Sequence, residues 1–363
     1  MSAVIKENKD LQILTINPGS TSTKVTLFKG DTELFSSSVE HSSAELAKFE
    51  KISDQFEYRK SIILSAIEKE GINIKEIAAV VGRGGLLKPM SGGTYAICQK
   101  MIDDLHLAER GEHASNLGAL IAKAISVTID CPAYIVDPVV VDEMNDIARY
   151  SGNPLLPRKS IFHALNQKRT ARIVAAKIGK PYESSNIIVA HMGGGISVGV
   201  HADGKVVDVN NALDGEGPFT PERSGTVPVG QLVDLCFSAE YEKGSIKKMI
   251  KGNGGLTAYL GTNDLREVVR MMDSGNHEAE NVFQAMVYQV AKSIGEMATV
   301  VCGKLDAIAL TGGMAYSERL TQEITKRVGF IAEVIIIPGE NEMESLRDGA
   351  LRVLSGVDKA KEY

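Results

Sequence analysis

Residues 13–24, I-L-T-I-N-P-G-S-T-S-T-K, followed by V-T-L-F, constrain this chain more than any other stretch. Positions 13–16 and 25–28 are aliphatic and β-branched runs of strand length, and Pro18-Gly19-Ser20 between them supplies a turn, so the segment predicts a hairpin. Its tip holds Asn17, Gly19, Ser20, Thr21, Ser22 and Thr23, with Lys24 close behind to add positive charge. A bare reversal needs about two such residues. Small polar residues in this density crowd backbone N–H groups and hydroxyls into one place, which suits an oxyanion such as phosphate. On this stretch alone, a polar tip without a ligand is the alternative.

A second stretch repeats the plan. Residues 187–204 read I-I-V-A-H-M-G-G-G-I-S-V-G-V-H-A-D-G: an apolar strand, a turn of Gly193, Gly194 and Gly195, another β-rich run, then Asp203-Gly204 as a reversal. Laid on the first, Ile13 falls on Ile187, Asn17 on His191 and Gly19 on Gly193. Two such units predict a duplicated domain, each half presenting one turn to a shared cleft. Actin-like and hexokinase-like ATPases are built this way.

At this point the residues carry a resemblance. The first hairpin, together with V-G-R-G-G at 81–85, G-E-H-A-S-N-L-G at 111–118, V-D-P-V-V-V-D-E at 136–143, R-K-S-I-F-H-A-L-N-Q-K at 158–168, A-H-M-G-G-G-I-S at 190–197, D-G-E-G-P-F-T-P-E-R-S-G at 214–225 and L-T-G-G at 310–313, resembles the acetate kinase family. Within it the chain is most similar to the butyrate and branched-chain fatty acid kinases, from about Leu11 to about Leu354. The resemblance implies an α/β fold of the duplicated actin-like type shared by acetate and sugar kinases, heat-shock proteins and actin, with two domains around a nucleotide cleft. It also implies ATP/ADP and Mg²⁺ as cofactors, a short-chain carboxylate as partner, and a homo-oligomer. Gly194 stands where acetate kinases have Asn, and the loop before Arg223 is shorter; both differences favour the butyrate branch.

The expected boundaries are 1–150 for the amino-terminal domain and 151–343 for the nucleotide domain, with a closing helix at about 344–363 packing back on the first. The divide is placed at the Pro/Gly-rich S-G-N-P-L-L-P before Lys159. A chain of 363 residues with 44% hydrophobic and 24% charged side chains can fill two cores. Its net charge of −6 argues against a nucleic-acid surface. Cys98, Cys131, Cys236 and Cys302 form no C-x-x-C pair and read as reduced thiols, and the opening M-S-A-V-I-K-E-N-K-D carries charges where a signal peptide has its apolar core. With no segment apolar enough for a bilayer, the expectation is a cytoplasmic enzyme that contacts neither membrane nor nucleic acid.

Taken in order, residues 43–70 read as one amphipathic helix, and 77–81 as a buried strand whose loop carries Arg83. His113 and Ser115 precede a helix at 117–124. Residues 131–136 form a strand ending in Asp137, where Pro138 discourages helix. A helix at about 166–178 follows Phe162 and His163. Residues 210–225 form a loop with Arg223, and Asp264 caps a helix carrying Arg266. Residues 307–310 open on Thr311-Gly312-Gly313, where bare backbone admits close approach of a ligand. Walker A spacing at Gly199 and Gly204-Lys205 fails because Val206 stands where Ser or Thr is required, and Val198 breaks a G-x-G-x-x-G after Gly193.

The resemblance assigns Arg83, Asp137, His163 and Arg223 to catalysis. It gives Asn17, Ser20, Ser22, Lys24, His191, Gly193, Gly194, Gly195, Asp264, Arg266, Gly312 and Gly313 to the nucleotide. Arg83, His113, Phe162 and Arg223 go to the substrate, and Asp137 with Glu342 to the metal, Glu340 and Glu344 being alternatives to Glu342. For the arginines and histidines, solvated loop charges or core imidazoles are the competing readings. The reaction implied is phosphoryl transfer from ATP to butyrate or isobutyrate, giving an acyl phosphate reversibly. Acetate or propionate as acceptor is the near alternative; a sugar kinase or an actin- or chaperone-like ATPase is the distant one.

Overall fold

The computed structural model describes residues 10–363. Chain contacts divide them into a first unit of residues up to Val141 together with Asn341–Tyr363, and a second unit, Asp142–Glu340.

In the first unit the hairpin forms from β1 (Gln12–Pro18) and β2 (Ser22–Lys29), with Asn17 opposite Lys24. β3 (Thr32–Glu40) continues the antiparallel meander. On its other side β1 pairs in parallel with β4 (Ile77–Arg83), which pairs in parallel with β6 (Ala133–Val136), and β5 (Thr94–Ala96) closes the sheet antiparallel to β6. Ile13, Leu14, Thr15 and Ile16 are all buried, because β1 lies mid-sheet with helices on both faces. These helices are Asn116–Ile129 and Glu342–Leu354, both packed on β1, β4 and β6. The first approaches closely enough that a Cβ on Gly82 would collide with the Gly118 carbonyl. Only a glycine pair permits that contact beside Arg83.

The second unit repeats the order. β7 (Ile187–Met192), β8 (Ile196–Ala202) and β9 (Lys205–Val209) form the meander; β10 (Ala307–Gly312) and β11 (Val334–Pro338) extend it in parallel from β7. Asp203 and Gly204 both have positive φ, the geometry of a two-residue hairpin turn. The helix Ala164–Lys177 covers β7 and β10, and His277–Val300 covers β7 and β8.

One elongated helix over 43–70 does not form. A capping box at Ser42 and Glu45 starts a single turn, Ser43–Leu46, and a new start at Lys51 leads through Ile52–Gln55 into the helix Phe56–Lys69. Arg83 is the last residue of β4 rather than part of a loop. Among the described residues, no helix is long and apolar enough to cross a membrane.

Candidate active site

Asn17, Arg83 and Asp137 stand at or just beyond the carboxyl ends of the adjacent parallel strands β1, β4 and β6, where open α/β sheets bind ligands. The first two meet at a third residue. Arg83 Nη1 donates to Glu342 Oε1 at 2.5 Å and to Asn17 Oδ1 at 3.2 Å, while Asn17 Nδ2 donates to Glu342 Oε2 at 2.5 Å. Glu342 opens the closing helix and is partly exposed, so the pair is held but reachable by solvent. Asp137 is used differently. It is 4% exposed with positive φ, and its Oδ1 accepts the Gly93 N–H at 2.6 Å while its own N–H donates to Gly93 O.

The hairpin tip is organised from beneath by Arg59, 1% exposed, in the helix Phe56–Lys69. Its guanidinium donates to the carbonyls of Gly19, Ser20 and Ser22, to Thr23 Oγ1 and to Gln55 Oε1. Three tip carbonyls therefore point inward, and Ser20, Thr21 and Lys24 remain exposed at the surface of the tip. The sequence reading missed Arg59, which looks like any helix-face arginine. His113 Nδ1 accepts the Ser115 N–H at 3.1 Å beside the start of Asn116–Ile129.

In the second unit the glycine turn meets Arg223. A Cβ on Gly195 would overlap the guanidinium, and Thr220 ties the two segments by donating from Oγ1 to Gly194 O at 2.7 Å and accepting from Arg223 N at 3.0 Å. Arg223 Nη1 donates to Ala212 O, while its buried Nε has no hydrogen-bond partner among the described residues. Burial lowers the Arg223 pKa, and the charges of Glu222 and Asp214 partly offset this.

His163 precedes the helix Ala164–Lys177 and stacks on His191, with ring centroids 3.9 Å apart and planes 14° from parallel. Its Nδ1 lies 2.9 Å from Ser197 Oγ, and His191 Nδ1 lies 2.8 Å from Asn166 Oδ1. Phe162 is buried beside them in sequence.

A cavity of about 880 Å³ lies within this unit, bordered by Gly193, Gly194, Asp264, Arg266, Gly313 and Glu340. Pro221, Leu265, Val269, Met314 and Tyr316 give it apolar wall that sequence reading did not anticipate. Gly312 turns β10 into the short segment Gly313–Tyr316. Asp264 caps its helix and pairs with Arg266, whose hydrogen bonds hold the Asp264 carboxyl down at about 2. Glu340 lines the cavity, whereas Glu342 belongs to the first unit with Asn17 and Arg83. The structure thus separates two of the three candidate glutamates.

Among the described residues, no group of three or more His, Cys, Asp or Glu side chains could hold a metal. A Mg²⁺ accompanying a nucleotide usually takes one or two protein carboxylates and keeps waters and phosphate oxygens for the rest. Glu342 with the Asn17 amide oxygen fits that donor set. Asp137 is buried, and its Oδ1 accepts the Gly93 N–H.

A duplicated meander with parallel extensions, carrying a glycine turn beside a cavity, defines the actin-like fold of acetate kinases. Residues 146–343 match the acetokinase family. Butyrate kinase 2 of Clostridium acetobutylicum is 56% identical over 97% of this chain and 99% of its own length; butyrate kinase 1 of the same organism is 53% identical with the same coverage. The chain belongs to the acetokinase family and stands in it with the butyrate kinases. Its fold is matched by the crystal structure of Porphyromonas gingivalis acetate kinase, TM-score 0.76 at 18% identity over 94% and 99% of the two chains, and by a propionate kinase from Francisella tularensis, TM-score 0.73 at 17% identity over 93% and 98%.

Proposed function

We propose that this protein transfers the terminal phosphoryl group of ATP to butyrate or a branched relative such as isobutyrate, forming ADP and an acyl phosphate, and runs the reverse reaction. The observation that carries the reading is Arg223: a partly buried guanidinium whose buried Nε has no hydrogen-bond partner among the described residues, set against the glycine turn that borders a cavity of nucleotide size. The similarity to butyrate kinases over nearly the full chain supports the acceptor class.

A carboxylate oxygen attacks the γ-phosphorus and the bond to the β-bridging oxygen breaks, so ADP leaves with that electron pair. A short fatty acid with a pKa near that of Glu, ~4.3, is ionised at pH 7 and needs no general base. The barrier is electrostatic, since an anion approaches an anion and a loose transition state spreads charge over the equatorial oxygens. Arg223 meets charge on the transferring group and His163 donates a hydrogen bond to it. Arg83 exchanges Glu342 for the acceptor carboxylate, a task for which its planar fork is suited. The Ser20, Ser22 and Lys24 tip and the glycine turn, with His191, receive phosphate oxygens; Asp264, Arg266 and Gly313 border the nucleoside. Phe162 walls the acyl chain. Glu342 and Asn17 would hold Mg²⁺, which supplies charge neutralisation on the phosphates when bound.

Trapping of acyl phosphate with hydroxylamine, using Mg-ATP and acetate, propionate, butyrate, isobutyrate or glycerol, tests this. Hydroxamate should accumulate faster with butyrate or isobutyrate than with acetate. A clear acetate preference would move the chain to another branch, and phosphorylation of glycerol alone would overturn the carboxylate reading.

A further inference from the structure

We infer that Gln167 and Ser197 are positioning residues that lock His163 with its proton on Nε2, so that this ring can only donate toward the phosphoryl group. The inference rests on the assignment of His163 to that group and adds the residues that set its hydrogen-bonding direction.

The direction follows from one acceptor whose role is fixed. Gln167 Nε2 lies 3.0 Å from the backbone carbonyl oxygen of Ser197. A carbonyl cannot donate, so the NH₂ of Gln167 faces Ser197 and its Oε1 faces the other way. The same Nε2 lies 2.7 Å from Ser197 Oγ and donates there as well. Ser197 Oγ, fully buried, thus has one of its lone pairs engaged and its proton still to place. His163 Nδ1 at 2.9 Å is the acceptor for it. Were Nδ1 the donor, the hydroxyl would accept twice and its own proton would be stranded in the interior, at a cost of about 1–3 kcal/mol. A neutral imidazole that accepts at Nδ1 carries its proton on Nε2.

The far end of the chain holds this polarity. Gln167 Oε1 lies 3.2 Å from His201 Nε2, which must therefore be the protonated nitrogen, and His201 Nδ1 lies 2.9 Å from the Tyr182 hydroxyl. Every donor from Tyr182 through His201, Gln167 and Ser197 to His163 points the same way. The neighbouring ring is fixed in the opposite sense by the preceding residue. Asn166 Nδ2 donates to the carbonyls of Gly339 and Glu340, which turns its Oδ1 to His191 Nδ1, so that Nδ1 carries a proton, while His191 Nε2 lies 4.0 Å from Glu340 Oε1. Consecutive amides on one helix thus leave Nδ1 of His163 an acceptor and make Nδ1 of His191 a donor.

The test is two-bond ¹H–¹⁵N correlation NMR on histidine-labelled full chain at pH 8, with His163 assigned by the signals lost in His163→Gln, and kcat and KM for ATP measured in parallel. Wild type should show His163 protonated on Nε2 and His191 on Nδ1. In Gln167→Glu the carboxylate accepts where the amide donated, so the Ser197 proton turns away, His163 should move its proton to Nδ1, and kcat should fall on the order of 10²–10³-fold, the loss of one transition-state donor, with KM changed about threefold or less. Should Gln167→Glu not fold, Ser197→Ala, which leaves Gln167 its carbonyl acceptor, should shift His163 to a mixture of tautomers. A wild-type His163 protonated on Nδ1, or an unchanged His163 spectrum in whichever variant folds, overturns the inference. Wild type that forms no acyl hydroxamate defeats the kinase reading instead, and the spectra still decide the tautomer.

Discussion

Gly195 leaves the space that the Arg223 guanidinium fills: a single methyl group on Gly195 would occupy the same volume as Nη1 and Cζ of Arg223. The glycine is thus a requirement of an arginine far along the chain rather than of its own turn, since its φ is not in the left-handed region. Gly195→Ala should push Arg223 aside and lower kcat on the order of 10²-fold, below the roughly 10³–10⁵ expected for Arg223→Ala. Steady-state kinetics with Mg-ATP and butyrate would read both. Near-wild-type turnover in Gly195→Ala with a normal melting temperature would mean that Arg223 acts from elsewhere or not at all.

The carboxylates separate by what they touch. Glu342 sits between Arg83 and Asn17 and is partly exposed, while Asp137 is buried on the Gly93 amide. Glu342→Gln should raise the Mg²⁺ concentration needed for half-maximal rate about tenfold and recover activity at high metal, because a weakened equilibrium can be driven by mass action. Asp137→Asn should leave the apparent Mg²⁺ affinity within about twofold and instead lower thermal stability by about 1–3 kcal/mol through the loss of a charge-assisted bond. The opposite pattern, with metal rescue confined to Asp137→Asn, would return the metal to Asp137.

Arg59 carries a prediction about the phosphate hairpin. Replacing it with alanine removes the donor to the Gly19 and Ser20 carbonyls and one of two partners of the Ser22 carbonyl and the Thr23 hydroxyl, which keep the Gly19 N–H and His41 Nε2. Loss of a fully buried side chain together with its hydrogen-bond network should destabilise Arg59→Ala by about 1–3 kcal/mol. Chemical denaturation would measure it. If the variant folds, the KM for ATP should rise by at least about fivefold as the tip loses its shape, and an unperturbed KM would show that the tip plays no part in nucleotide binding.

Stability should also fall on the acid side. Burial pushes the pKa of His201 well below 6.5, with Lys168 and Arg172 adding to it, and burial likewise lowers that of His41, with Arg59 second. In the unfolded chain both titrate near 6.5. Between the folded and unfolded values the unfolded state binds more protons, so stability is fully present above about pH 6.5 and declines as pH drops below it, by up to about 1.4 kcal/mol per pH unit for each histidine. Thermal melts from pH 7.5 to 5 should show this slope, and His201→Gln should reduce it. A flat profile over that range would contradict the neutral assignment of both rings.

The sequence by itself determined what local pattern controls. Apolar runs broken by small residues set the two hairpins and their duplication, with Asn17 and Gly193 at their turns; an extended run ending at Gly82-Arg83-Gly84 puts Arg83 at a strand end. Chain position alone brought Asp264 and Arg266 to a helix start. What needed the tertiary structure is whatever depends on partners distant in sequence. Glu342 and Glu340 differ only in what faces them, Arg83 and Asn17 in one case and a cavity and His191 in the other. Asp137 has the sequence surroundings of a metal ligand, and only the fold shows that one of its carboxylate oxygens accepts a backbone N–H from the turn before β5. Arg59, Ser197 and Gln167 have no signature, because a helix-face arginine, a strand serine and a helical glutamine are ordinary at their own positions. Their roles come from burial, which removes water as an alternative partner and forces every donor and acceptor to be settled by whichever group the fold has brought within reach.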